Sequence, residues 1–274
     1  MVCGPGSVSS QMGGTGVANP LEAITAVTRN PAGLSFFIRP TASLDFTYLR
    51  TESRAKIDFP PALGGYWEGT SRDRNYPLFA TAIAYPLSHT ERFKYSPFSF
   101  GVALIVSAGA GTEYYSISPL AQGSLYEVFS GVLGISYRLG NFSFGIGPRI
   151  NFSLADFNAG DKLGEAYGIQ AGVIYCQPSY SLGLSYISAM NVSFPRLLDI
   201  NFDGKLDVLN VEEPHQLHGG ISYKGLKNWI FNLEGFWLNY SDANFYGDLD
   251  WDDVYGFKFG IQYNILPFMK IRAG

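Results

Sequence analysis

Three cations in this chain are placed to bind an anion: Arg138, Arg149 and Lys258. Each falls on the small-residue side of an alternating segment, where a guanidinium or ammonium can meet a carboxylate by charge-assisted hydrogen bonds. Glu234 and Asp45 are carboxylates on the same sides, and pairing with them would leave the cations merely lining a wet interior. A second constellation is Asp199-Ile200-Asn201-Phe202-Asp203-Gly204 followed by Asp207, which copies the start of a D-x-N-x-D-G calcium loop. The position of the bidentate Glu is Asn210 and the flanks are not helical, so an Asp-Gly hairpin turn in a long loop accounts for it better. His215 and His218 fall on opposite faces of an expected strand, which is poor metal geometry. No G-x-S-x-G elbow and no phosphate-cradling Gly-rich loop occurs. The residues offer binding without reaction: no catalytic group, no cofactor and no metal is expected.

The elements that must position these cations are strands. Phe144, Ile146, Ile150, Phe152 and Leu154 share one side of a segment, and Gly145, Gly147, Arg149, Asn151 and Ser153 share the other. Tyr255, Phe257, Phe259, Ile261 and Tyr263 alternate with Gly256, Lys258, Gly260 and Gln262. Leu133, Ile135, Tyr137 and Leu139 alternate with Gly134, Ser136 and Arg138. The pattern predicts strands near 41–51, 77–86, 97–107, 127–139, 141–155, 165–177, 179–189, 216–224, 228–240, 254–265 and 267–274. Connections near 139–141 and 177–179 are short. Those near 51–75, 108–126, 157–165, 191–214 and 241–253 are long and polar.

The large sides are aromatic and the opposite sides are Gly, Ser, Ala and Asn. A soluble sandwich would place charges on its second face. Here only 15% of 274 residues are charged, against about 25% in a typical soluble domain. Aromatics reach 16%, there are 32 Gly, and the net charge of −4 with no basic stripe argues against nucleic acid. No apolar run is long enough for a transmembrane helix, and Met1-Val2-Cys3-Gly4-Pro5 has no leader character. Small inside, large outside, short turns at one rim and long loops at the other describe an all-β, transmembrane antiparallel β-barrel. The last segment stops in mid-pattern. Because an unpaired edge in lipid is costly, the expectation is that closing strands are missing at the C-terminus.

Two stretches break the alternation. Residues 13–34, GGTGVANPLEAITAVTRNPAGL, are nearly uncharged and cut by Gly and Pro, as suits a compact plug. Gly109 and Gly111 in VSAGAGTEY mark either a bulge or bend in a strand, or a loop starting after residue 107.

MGGTGVA with AITAVTRNPAGLSFF, then FSFGVALIVSAGAGTEYY, then Trp251-Asp252-Asp253 ahead of VYGFKFGIQYNI, occur in the order found in one family. The sequence resembles the FadL/TodX-type transporters of the bacterial outer membrane. The resemblance implies a barrel of about fourteen strands, with residues 1–40 as an N-terminal hatch inside the lumen and 41–274 as a barrel incomplete at its C-terminus. It implies that Asn30, Pro31 and Ala32 are the hatch motif. Gly109 and Gly111 become the kink that opens a side passage to lipid. Arg149, Arg138 and Lys258 become candidates for a ligand head group. One departure is that only Glu22 stands where such hatches often carry an acidic pair. The implied function is passive uptake of hydrophobic compounds, long-chain fatty acids first and aromatic hydrocarbons next. The implied protein is a monomer in the outer membrane of a Gram-negative-type bacterium, with lipid and an apolar small molecule as partners. A barrel serving as a scaffold for secretion or assembly, and a soluble β-rich binding protein, are the rival readings.

Overall fold

The computed structural model describes residues 6–58, 65–71, 74–87, 97–112, 124–156, 161–198, 204–205, 207–266 and 268–274. The chain opens with two short helices, α1 (Ser7–Gln11) and α2 (Ala23–Thr28), and a 3-10 turn at Pro31–Phe36. Strands follow: β1 (Thr41–Thr51), β2 (Arg54–Asp58), β3 (Tyr66–Thr70), β4 (Arg74–Pro86), β5 (Phe98–Thr112), β6 (Ser124–Leu139), β7 (Phe142–Asp156) and β8 (Lys162–Cys176). The rest are β9 (Tyr180–Ile187), β10 (Met190–Leu198), β11 (Asp207–Glu213), β12 (Gln216–Tyr223), β13 (Trp229–Leu238), β14 (Val254–Leu266) and β15 (Met269–Ala273).

Eleven strands form one antiparallel sheet in the order β1-β4-β5-β6-β7-β8-β9-β12-β13-β14-β15. These are the eleven segments that alternation predicts. Among the described residues no pairing joins β1 to β15, so the sheet is not closed. The long connections near 51–75 and 191–214 contain hairpins of their own, β2–β3 and β10–β11, the second where an Asp-Gly hairpin turn is expected. In the second, Met190, Val192 and Phe194 alternate and are buried, a signal too short to separate from loop composition.

The two faces divide as the alternation requires. Leu44 is 82% exposed and Phe257 86%, and they belong to a continuous outer layer that includes Phe100, Leu133, Ile135, Phe144 and Ile146. The inner face meets the N-terminal segment. Ile24, Val27 and Leu34 are fully buried against Ala80, Ala82, Ala84, Ala103, Ile105 and Val132, and each such side chain contributes about 1.5–3 kcal/mol. The small residues of the inner face are the seat of this segment. A Cβ on Gly101 would lie 2.6 Å from Val27 Cγ2, and one on Gly134 3.1 Å from Leu34 Cδ1. On Gly145, Gly172 and Gly183 it would collide with Ala32, Asn30 and Val17.

A second filling enters from the other end. The β10–β11 hairpin folds inward onto β8 and β7. Its Met190, Val192, Phe194, Leu209 and Val211 bury against Ala155, Ala166 and Ile187. Read along the inner face of β8, Gly172 meets Asn30 and Gln170 donates to Val27 O at 2.5 Å. Gly168 then meets Met190, and Gly164 meets Val192 and Phe194. The inner face of the sheet is thus covered by the N-terminal segment toward one end and by the hairpin toward the other.

Candidate functional site

The N-terminal segment, the hatch that the resemblance implies, is fixed by polar contacts as well as by packing. Asn30 accepts from Ala32 N at 3.1 Å, which starts the 3-10 turn with Pro31 in its first turn. The same side chain donates to Val17 O at 2.8 Å, and Ser143 of β7 donates to Ala32 O at 2.6 Å. Asn30, Pro31 and Ala32 therefore fold the hatch on itself and dock it on the wall. Glu22 accepts from Ser9 N at 2.9 Å and from Val8 N at 3.4 Å, holding the start of α1. Burial pushes its carboxyl above the ordinary value, against the pull of those N–H donors.

A further tie is made by Glu234 of β13, 1% exposed. It accepts from Gly16 N at 2.9 Å and from Val17 N at 3.2 Å. Arg29 of the hatch reaches it at 3.1 Å, Lys258 of β14 at 3.4 Å and His218 of β12 at 3.4 Å. One carboxylate thus joins three strands' worth of wall to two points of the hatch.

The three cations singled out by type and spacing are not brought together. Lys258 is cross-strand from Glu234 and paired with it, the arrangement in which it lines rather than binds. Arg138 lies at the short-turn rim, donating to Gly140 O at 3.1 Å and resting 5.6 Å from the centre of the Phe36 ring. Arg149 stands opposite Gly168, at the junction of hatch and hairpin. It is buried, its Nη2 reaches Ser130 only at 3.5 Å, and its Nε meets no hydrogen-bond partner among the described residues. Glu213, at the end of the hairpin, accepts from Asn151 at 2.8 Å. Burial raises the Glu213 carboxyl, and the Arg149 charge opposes that rise. Arg29, not singled out by the sequence, pairs with Glu234.

The wall itself has an interruption. The β4–β5 ladder runs from Pro86↔Ser99 to Ala80↔Ile105 and stops there. On the far sides pairing continues, β1–β4 to Thr51↔Arg74 and β5–β6 to Thr112↔Ser124. A bulge between Val106 and Ala108 shifts the β5 register at this point. Pro77, which cannot donate to a ladder, lies in the part of β4 that pairs with β1 but has no partner on β5. After the bulge Gly109 stands opposite Glu127 and Gly111 opposite Leu125, on the outer side. The strand runs on past residue 107, so Gly109 and Gly111 sit in β5 and not in a loop.

A pocket of about 290 Å³ occupies the interruption. Phe46, Phe79 and Phe129 line it from the outer face, and Tyr76 and Leu78 from the inner face, with Gly109 and Glu127 between. A Cβ on Gly109 would find nothing nearer than 4.0 Å. The pocket is therefore lined by residues of both sides of the wall.

Of the calcium-like stretch, Asp199, Asn201 and Asp203 lie outside the described residues; Asp207 begins β11, opposite Leu198. Among the described residues no group of three or more His, Cys, Asp or Glu is placed to hold a metal.

No family model matches the sequence, and no curated protein matches it. Solved structures do. The P. putida toluene transporter TodX superposes with a TM-score of 0.73 at 16% identity, over 99% of this chain and 82% of that one. A Pseudomonas aeruginosa FadL homologue gives 0.70 at 12%, over 98% and 78%. The Ralstonia pickettii toluene transporter TbuX gives 0.67 at 16%, over 96% and 83%. The fold is that of the FadL/TodX-type barrels.

Proposed function

We propose that a chain with this fold is an outer-membrane channel for passive uptake of hydrophobic compounds, which leave sideways between β4 and β5. The observation that supports this most is the coincidence of a broken ladder, a bulge and an apolar pocket lined by residues of both faces of one wall. An apolar outer layer suits hydrocarbon, whereas a ladder gap in lipid needs a reason, since unpaired backbone there is costly. The gap lies on the long-loop side of the hatch contacts at Gly101 and Gly134. A ligand coming from the loops would then reach lipid without crossing the hatch, and the hatch would block the straight route.

Long-chain fatty acids are the first ligand class, because buried Arg149 has donor capacity to spare for a carboxylate. Arg138 and Lys258, engaged elsewhere, would be secondary to it. Monoaromatic hydrocarbons are the second class. Two of the similar structures are toluene transporters, and an apolar cavity of ~150 Å³ already holds benzene.

The test is flux into vesicles whose outer leaflet is lipopolysaccharide, which by itself slows apolar solutes. Gly109→Trp places an indole in the pocket and should cut toluene flux about tenfold, the effect of only ~1.4 kcal/mol of added barrier. Unchanged flux would remove the side passage from the account.

A further inference from the structure

We propose that Glu127 is a charge filter that makes the side passage selective for uncharged ligands. The inference rests on the passage reading above and adds what the passage rejects.

Among the described residues that line the pocket, Glu127 alone carries a charge. It stands opposite Gly109 on one side and Leu154 on the other, in the outer row of β6 that continues as Phe129, Leu133, Ile135 and Tyr137. Glu127 is the fourth residue of β6 from its long-loop end, where an outward carboxylate costs the wall little. Its place at the one interruption of the β4–β5 ladder gives it a use. A ligand crossing from the inner residues Tyr76 and Leu78 to the outer residues Phe79 and Phe129 passes that carboxylate at close quarters, since all five residues line one pocket. Like charges at such range in a partly buried site repel strongly. No described cation in the lining offsets the repulsion. An uncharged hydrocarbon meets only the phenyl rings and feels no such barrier. An ionised acid held at Arg149 would have to become neutral before it could pass.

The experiment uses the same lipopolysaccharide-faced vesicles with the full chain, and compares one long-chain fatty acid with its methyl ester, alongside toluene. Glu127→Gln should raise the ratio of acid flux to ester flux about tenfold, and Glu127→Lys at least as much, the scale expected of a nearby like charge removed or reversed. Retained heat-modifiable gel mobility shows that each variant is folded. A ratio that stays put in both folded variants overturns the filter. Gly109→Trp separates the two levels: if it slows neither toluene nor ester, the passage reading falls and the filter with it. If it slows both while the Glu127 variants change nothing, only the filter is lost.

Discussion

Glu234→Ala should loosen the N-terminal segment from the wall and, if that segment is the hatch proposed above, turn a stoppered lumen into a leaking one. The substitution removes the acceptor of Gly16 N and Val17 N and leaves Arg29 and Lys258 facing each other across the vacated site. Stranding a buried charge partner costs about 3–5 kcal/mol, and each unsatisfied N–H about 1–3 kcal/mol. That exceeds what one hatch contact elsewhere supplies, so the segment near Gly16 should detach while the strands stay paired. Conductance across a planar bilayer should then rise from near zero to discrete open events, and a protease should cut within residues 6–36. Glu234→Gln keeps an acceptor but not the charge, and should fall between. Unaltered conductance with full protection would show that packing alone holds the hatch.

Gly145→Val is the complementary experiment, acting through shape. A Cβ at this position overlaps Pro31 and the backbone N of Ala32, and lies 2.8 Å from Ala32 Cα. These are backbone atoms of the hatch turn, so no rotamer change relieves the contact. Overpacking a close-packed site costs about 1–3 kcal/mol or more, and here it falls on the motif that carries the Asn30 and Ser143 hydrogen bonds. The hatch should be displaced, with the same leak and the same new cleavage. Gly131→Ala is the control, because its nearest neighbour would be Leu104 Cδ2 at 3.8 Å. Equal behaviour of the two variants would contradict the hatch seat.

The alternation that predicted the strands is a local property, so it survived intact: one side of each strand meets either lipid or filling, and period 2 records which. The inner glycines were legible as small, but what they are small for was not. Gly145 and Gly172 match a hatch contour more than a hundred residues away in sequence. Lys258 against Glu234 is a cross-strand pair within one hairpin, and could be foreseen from spacing. The unpartnered Nε of Arg149 could not, since it depends on where the inward hairpin ends. Glu127 escaped notice because one carboxylate in an aromatic strand has no pattern. Its meaning comes from the β5 bulge and the lost β4 pairing, both long-range facts of register. Arg29 sits directly before the Asn-Pro-Ala motif, and its charge inside an uncharged plug was the available clue.

The central claim is that the outer rows face hydrocarbon while residues 6–36 occupy the space they enclose. Single spin labels along β6 and β7, on a chain with its two cysteines replaced by Ser and reconstituted in a bilayer, test it most directly. The account predicts high oxygen accessibility at Leu133, Ile135, Phe144 and Ile146, and shielding from both oxygen and a water-soluble relaxant at Val132, Gly134 and Ser143. Outer positions that are open to the water-soluble reagent and closed to oxygen would contradict it.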